Sequence, residues 1–197
     1  VIEEVGRIYG YDKIKGKDLI LNVKEGGYTG KIGLRKEVSK KLRSYGLNEV
    51  KTYTLTSKED SEKFNDDDHI KLLLPMSGDK SVVRTSIIPS LINVYKYNKA
   101  RGIKDINIYE TSNVYYNKDY EEEVKLAILM SGEYISNNFL GQGIKVDFYV
   151  LKGIITSLLE YLGYDKRIRF NVLKDMKDLH PGKSAEIVID NETIGFM

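Results

Sequence analysis

Cysteine and tryptophan are both absent from this 197-residue chain, and only two histidines, His69 and His180, and three prolines occur. Without cysteine there is no disulfide framework, no thiolate metal site and no cysteine nucleophile. Two histidines far apart in sequence make a histidine-rich zinc site improbable on spacing alone. No apolar run approaches the roughly 20 residues of a membrane span, and the N-terminus lacks the basic-then-apolar pattern of a secretion signal. A soluble, cytoplasmic protein is the expectation. Net charge is small, with 31 basic against 29 acidic side chains, so no global field draws the chain to nucleic acid, although local basic faces remain. What is present in excess is tyrosine, 15 residues. The chain opens inside a helical pattern, Val1-Ile2-Glu3-Glu4, and stops inside a strand pattern, Ile194-Gly195-Phe196-Met197. It is expected to be a piece of something longer.

The apolar spacing predicts a short helix ending at Gly10, then a Lys/Gly-rich connector with one apolar run, Leu19 to Val23, and a domain boundary near residues 24–30. Leu34, Val38, Leu42 and Tyr45 predict an amphipathic helix stopped by Gly46, with a basic opposite face. Val50–Leu55 reads as a strand, Ser57 and Asp60 as the cap of a short helix, 58–68 as an acidic solvated turn, and Ile70–Leu74 as a buried strand stopped by Pro75. Ser86 and Pro89 open a further helix that Gly102 ends. Strand patterns follow at Ile106–Ile108, Val114–Tyr116 and Val124–Met130. A long helix capped by Asp147 and stopped at Gly163 comes next, and then strands near 168–173, 185–189 and 193–197, the last two joined by Asp190-Asn191. Short connections favour antiparallel pairing. The fold class is α+β, an antiparallel sheet with three main flanking helices.

Four features are open to a chemical reading. Glu3 and Glu4 are either a solvated face or part of an oxygen-ligand site; adjacent helical positions diverge by about 100°, so other ligands would be needed. Arg84, at a helix entrance, is either an anion clamp or a structural tether of the preceding loop. His180 and Lys183 sit in a His-Pro-Gly turn that is either punctuation or the mouth of a cleft. The basic residues of 31–51 and the group Lys96, Lys99, Arg101 and Lys104 could meet phosphates or water, with acidic clusters at 59–68 and 119–123 offsetting them. Gly141-Gln142-Gly143 lacks the context of a phosphate loop, and no Ser/His/Asp order is present.

In order along the chain, several segments together resemble the beta subunit of bacterial phenylalanine–tRNA ligase. They are Ile2-Glu3-Glu4-Val5-Gly6-Arg7-Ile8-Tyr9-Gly10-Tyr11-Asp12, Tyr45 to Val50, Leu74-Pro75-Met76-Ser77, Val83 to Leu91, Ile108-Tyr109-Glu110, Asp147 to Gly153, and Leu179 to Ala185. The resemblance implies residues 1–27 as the end of a small preceding domain with its linker. It implies residues 28–197 as a catalytic-like module on the antiparallel class II synthetase fold, cut short at its C-terminal end. In that family the module is non-catalytic. The alpha subunit uses ATP to activate phenylalanine, the assembly is an alpha2beta2 heterotetramer, and tRNA is the substrate partner of the whole. Where a working class II strand carries Arg two residues before Glu, this chain has Ile108 before Glu110. The resemblance places Glu3 and Glu4 in a Mg²⁺ site whose two Asp ligands lie upstream of this sequence, so the fragment alone is expected to bind neither Mg²⁺ nor ATP. The alternative is a stand-alone ATP-dependent ligase of the biotin-ligase type, with Arg84, Glu110 and Lys183 facing one pocket.

Overall fold

The computed structural model describes residues 1–22, 25–64, 69–117, 120–137, 139, 141–174, 176 and 178–197. Val23 and Lys24 in the connector, the Asp66-Asp67-Asp68 triplet and Asp119 lie outside the described residues. Helix α1 (Ile2–Tyr9) ends at Gly10, whose φ of 99° is open to glycine at little cost. None of its residues is buried.

The centre of the module is a long antiparallel ribbon, β4 (Ile106–Tyr115) with β5 (Glu122–Ser131), paired from Ile106↔Ser131 to Tyr115↔Glu122. The two separate strand patterns expected at 106–108 and 114–116 are one strand. The polar stretch between them, Glu110 to Asn113, stays in the ladder, its Glu110 carboxylate and its Thr111 and Asn113 carbonyls taken by partners from other elements. Strand β1 (Asn48–Glu49) adds to β4 in parallel, Asn48 opposite Ile108. The expected strand at Val50–Leu55 is therefore corrected. Pairing with β4 stops after Val50, whose N–H reaches the Tyr109 carbonyl at 2.9 Å, and the chain then crosses to a second partner as β2 (Leu55–Thr56), antiparallel to β3 (Val82–Val83).

Period-2 alternation divides the β4–β5 ribbon into two faces. Ile106, Ile108, Val114 and Ala127 turn to one side and pack with Ile87 and Leu91 of the segment that enters α4 (Ile88–Lys99). Pro89, near the start of α4, gives up an N–H that would have had no intrahelical partner. On the other face Tyr109, Ile128 and Met130 meet α2 (Gly30–Ser44) and α5 (Phe148–Tyr161) through Leu42, Ile154 and Leu158. Helix α5 has a second stripe one residue along. Ile155 and Leu159 pack on Ile168, Phe170, Ile187 and Ile189 of a second sheet, β10 (Glu192–Phe196), β9 (Ala185–Ile189) and β8 (Ile168–Val172). Serving two sheets explains why α5 is apolar on most of its circumference. Its cap is the expected one, Asp147 accepting from the Val150 N–H at 2.8 Å. Ser57 likewise caps α3 (Lys58–Ser61). The turn at Asp190-Asn191 has positive φ at both residues, the left-handed pair a two-residue hairpin needs.

Two further expectations are corrected. Of the Ile70–Leu74 run, only the base is held, by a Lys71↔Val82 bridge and the Leu72 N–H to the Ser81 carbonyl. Leu73 and Leu74 are 99% and 93% exposed, because the chain turns away from β3 before they can be covered. The stripe of α2 is buried only in its second half: Leu42 is inaccessible, whereas Leu34 stands exposed. The hairpin β6 (Glu133–Asn137) with β7 (Gln142–Lys145) was not anticipated. It follows Gly132, whose φ of 84° makes the reversal out of β5.

Candidate functional site

The chain brings Arg84 inward by its backbone first. Its N–H donates to the Thr54 carbonyl and its own carbonyl accepts from the Tyr115 N–H, both at 3.0 Å. The guanidinium is thereby aimed under the ribbon. Nη2 donates to Glu110 Oε1 at 3.1 Å, Nη1 to Thr52 Oγ1 at 2.8 Å and Nε to the Asn113 carbonyl at 3.2 Å. The Thr52 hydroxyl donates in turn to Glu110 Oε2 at 2.6 Å, and the Thr52 N–H approaches Oε1 at 3.3 Å. Arg84 is 1% exposed and Glu110 is sealed from solvent. Both carboxylate oxygens and all three kinds of guanidinium nitrogen are engaged inside the protein, so neither charge presents a free edge to a ligand. This favours the tether over the clamp for Arg84.

Beside Glu110 in the strand, Ile108 is buried against Ile87 and Leu91. Lys183 does not join Arg84 and Glu110. It is exposed in the turn before β9, where its N–H closes on the His180 carbonyl at 3.0 Å. His180 is exposed too, and its Nδ1 accepts from the Gly182 N–H at 3.0 Å, which places the ring proton of the neutral imidazole on Nε2. That geometry is a turn, not a cleft mouth. The Gly141 to Gly143 stretch lies at the β6–β7 turn.

A second polar network was not legible in the sequence, because Ser39 lies 10 residues from Glu49 and 70 from Tyr109. The Ser39 hydroxyl donates to Glu49 Oε2 at 2.9 Å and lies 2.9 Å from the buried Tyr109 hydroxyl, which reaches Glu49 at 3.3 Å. Lys51 Nζ lies 3.4 Å from Glu49 Oε1. Burial alone works against ionising Glu49, but the Ser39 hydroxyl, Lys51 and the Tyr109 hydroxyl outweigh it and hold its carboxyl below the usual range. Burial, with the Glu49 charge nearby, pushes the Tyr109 phenol up. His69 is also buried, and its Nε2 has no hydrogen-bond partner among the described residues.

Next to Thr52 an open groove of about 480 Å³ runs between α4 and the 51–57 segment. Ser90, Asn93, Val94 and Tyr97 line it, the i, i+3, i+4, i+7 positions of one helix face. Its polar groups serve the protein itself: Asp60 takes Lys63 at 2.8 Å and Asn93 at 3.0 Å, and Lys80 lies over the Tyr53 ring at 4.1 Å. Lys63 and, less strongly, Asn93 hold the Asp60 carboxyl below its ordinary value against the opposing effect of burial. Some of the basic side chains rest on tyrosine rings. Lys41 lies between the rings of Tyr45 and Tyr161, Lys99 over Tyr95, and Arg101 on Tyr97 at 3.3 Å.

Glu3 and Glu4 lie on exposed α1, with Glu3 taken by the Tyr11 hydroxyl at 3.0 Å. Among the described residues no three His, Cys, Asp or Glu side chains are grouped to hold a metal ion. The pair alone does not fit a Mg²⁺ site, which needs near-octahedral oxygen ligands. No helix among the described residues is long and apolar enough to cross a membrane.

Comparison with known proteins adds a fold and a family. Two structures of pyrrolysyl-tRNA synthetase from Desulfitobacterium hafniense superpose with TM-scores of 0.58 and 0.56, at 16% identity, over 81% of this chain and 55% of theirs. That likeness is one of fold, and it is the class II synthetase-like α+β arrangement. The phenylalanine–tRNA ligase beta subunits of Geobacillus kaustophilus and Staphylococcus aureus are each 36% identical over 203 and 204 residues, covering 100% of this chain. The chain spans 25% of the length of those relatives. A family model described as the phenylalanyl tRNA synthetase beta chain CLM domain matches residues 19–197. The chain belongs to that family, the CLM domain of the phenylalanyl-tRNA synthetase beta chain.

Proposed function

We propose that this chain is the non-catalytic module of a phenylalanine–tRNA ligase beta subunit. It supports ATP-dependent attachment of phenylalanine to tRNA by docking on a catalytic alpha subunit within an alpha2beta2 assembly in the cytoplasm. Residues 1–27 are the end of a preceding small domain and 28–197 the module. The observation that carries the non-catalytic reading is the state of Glu110. The carboxylate that a class II site would keep for its ligand is consumed by Arg84 and Thr52, and its strand neighbour Ile108 is a core residue where an Arg would stand. Docking is supported by apolar side chains left in solvent, Ile32 and Leu34 on α2 and Leu73, Leu74 and Met76 in the bends before β3. Mg²⁺ and ATP belong to the whole enzyme. Glu3 and Glu4 contribute to the Mg²⁺ site only together with Asp residues that precede this sequence.

Two measurements test the reading. The chain alone should give no ATP–pyrophosphate exchange, and mixing it with purified alpha subunit should give a co-eluting complex. Exchange by the chain alone would establish the stand-alone ligase instead, and clean separation on a sizing column would remove the docking role.

A further inference from the structure

Two cations converge on one backbone oxygen at the junction of α2, β1 and β4. Arg35 Nη2 donates to the Thr111 carbonyl at 3.0 Å and Lys51 Nζ donates to the same oxygen at 2.8 Å. The two charged nitrogens therefore stand within about 6 Å of each other, where like charges repel. A neutral carbonyl does not cancel two charges, and Glu49, 3.4 Å from Lys51, cancels only one. That carboxylate is already shared with the Ser39 and Tyr109 hydroxyls. Arg35 has no carboxylate within ion-pair distance among the described residues.

The surroundings deepen the excess. Helix α2 carries Lys31, Arg35, Lys36, Lys40, Lys41 and Arg43 against Glu37 alone. Thr111 itself is 7% exposed, and its hydroxyl has no hydrogen-bond partner among the described residues. An orphaned buried hydroxyl on the residue where both cations meet marks a junction whose polar groups are incompletely matched. Arg35 is half-buried and spends one N–H on Thr111, which leaves the rest of its planar fork for another acceptor. Lys51 is more than half exposed, so a ligand can reach its ammonium from solvent.

We propose that Arg35 and Lys51 form a binding site for a phosphate-type oxyanion, which bridges the guanidinium fork and the ammonium above the Thr111 carbonyl. Arg supplies two parallel N–H donors to two oxygens and Lys a point charge to a third. The bound group compensates the repulsion between the cations and ties the 51–57 segment to α2. Its phosphoryl group comes either from free phosphate or from the phosphate of a larger ligand such as a nucleotide.

The test is titration of the whole chain with inorganic phosphate, with sodium chloride at matched ionic strength as the reference. The readouts are the Arg35 Nε–H resonance and the thermal midpoint. The expected result is a saturable shift of that resonance and a rise in midpoint beyond the chloride reference. Arg35→Gln and Lys51→Gln should each raise the apparent Kd about tenfold. Lys40→Gln, which removes a charge from the same helix away from the junction, should leave it unchanged. AMP binding more tightly than phosphate would assign the site to the phosphoryl group of a larger ligand; equal affinity would assign it to the free ion. No shift of the Arg35 resonance in the unaltered protein, or a response equal to that of chloride, would overturn the proposal. So would equal losses in the Lys40 and Arg35 variants, which would mean a diffuse field. The resonance readout needs no substitution, so an unstable variant cannot obscure the answer.

Discussion

Arg84 and Glu110 meet at 3.1 Å with neither side chain open to solvent, and Thr52 joins both through one hydroxyl. The pair links the Ser81–Ser86 segment to the centre of β4. Its charges are an internal fastening.

Glu110→Gln should therefore destabilise the fold strongly, because it leaves the Arg84 charge buried and unpaired. Breaking such a pair costs about 3–5 kcal/mol. An Arg84→Met, Glu110→Leu double variant, which removes both charges at similar volume, should recover most of the loss. Urea unfolding of the wild type, the Arg84→Met and Glu110→Leu single variants and the double variant measures the coupling. A single Glu110→Gln variant as stable as wild type would contradict the buried pair.

Acid should loosen the junction of α2 with β1. Glu49 and Asp60 both ionise below their ordinary values in the folded protein, so the unfolded chain takes up protons first. Their contribution is fully present above the ordinary carboxyl range and is lost as pH falls through the lowered folded values. The thermal midpoint should fall below about pH 4.5. In Glu49→Gln the fall should be shallower, with a lower starting midpoint at neutral pH. A variant with the same acid slope as wild type would remove Glu49 from the account.

The sequence made the helices, the caps and most strands legible because those depend on local pattern and turn chemistry. Asp147, Ser57 and the Asp190-Asn191 turn act through neighbours three or fewer residues away. The run at Leu72–Leu74 misled because an apolar stretch looks the same whether it is covered or offered, and only the path of the chain beyond Ser81 decides. Tyr109, Glu49 and Ser39 were invisible as a network, since nothing local links residue 39 to residue 109. The β6–β7 hairpin was missed for the opposite reason. Strand β7 is exposed along its whole length and, among the described residues, β6 buries only Glu133 and Tyr134 in part, so the pair carries little alternation to detect.

Ile108→Arg tests the proposal that this module is non-catalytic, by supplying an arginine two residues before Glu110. Ile108 is packed with Ile87 and Leu91, and an Arg there finds Glu110 already occupied. The expected outcome is a loss of about 3 kcal/mol or more from an unpaired buried charge, with no ATP–pyrophosphate exchange. Exchange by a stable, folded Ile108→Arg variant would show that the fold still holds a usable site.

Gly132→Ala should disrupt the exit from β5. With φ at 84° the position favours glycine, and a Cβ would stand 2.5 Å from the Lys104 carbonyl oxygen. The Asp105 carboxylate, which accepts from the Glu133 N–H at 2.8 Å, would be displaced as well. Destabilisation of more than about 1 kcal/mol is expected, with exchange protection of the Asn107–Met130 backbone pairing reduced. An unchanged unfolding midpoint would mean that the turn relaxes freely.

Replacing Leu73, Leu74 and Met76 together with serine should leave stability nearly unchanged. At 99%, 93% and 101% exposure these side chains give up no buried area in the isolated chain. Surface changes of this kind stay within about 0.5 kcal/mol each. Leu42→Ala, on the inaccessible face of α2, removes core packing and should cost about 2–5 kcal/mol. The two variants separate folding from docking. If the segment beside β3 contributes to the partner interface, the triple-serine chain keeps its urea midpoint and loses co-elution with the alpha subunit. If co-elution survives with the same elution volume and affinity, the docking surface lies elsewhere, and the exposed start of α2 at Ile32 and Leu34 becomes the next place to substitute.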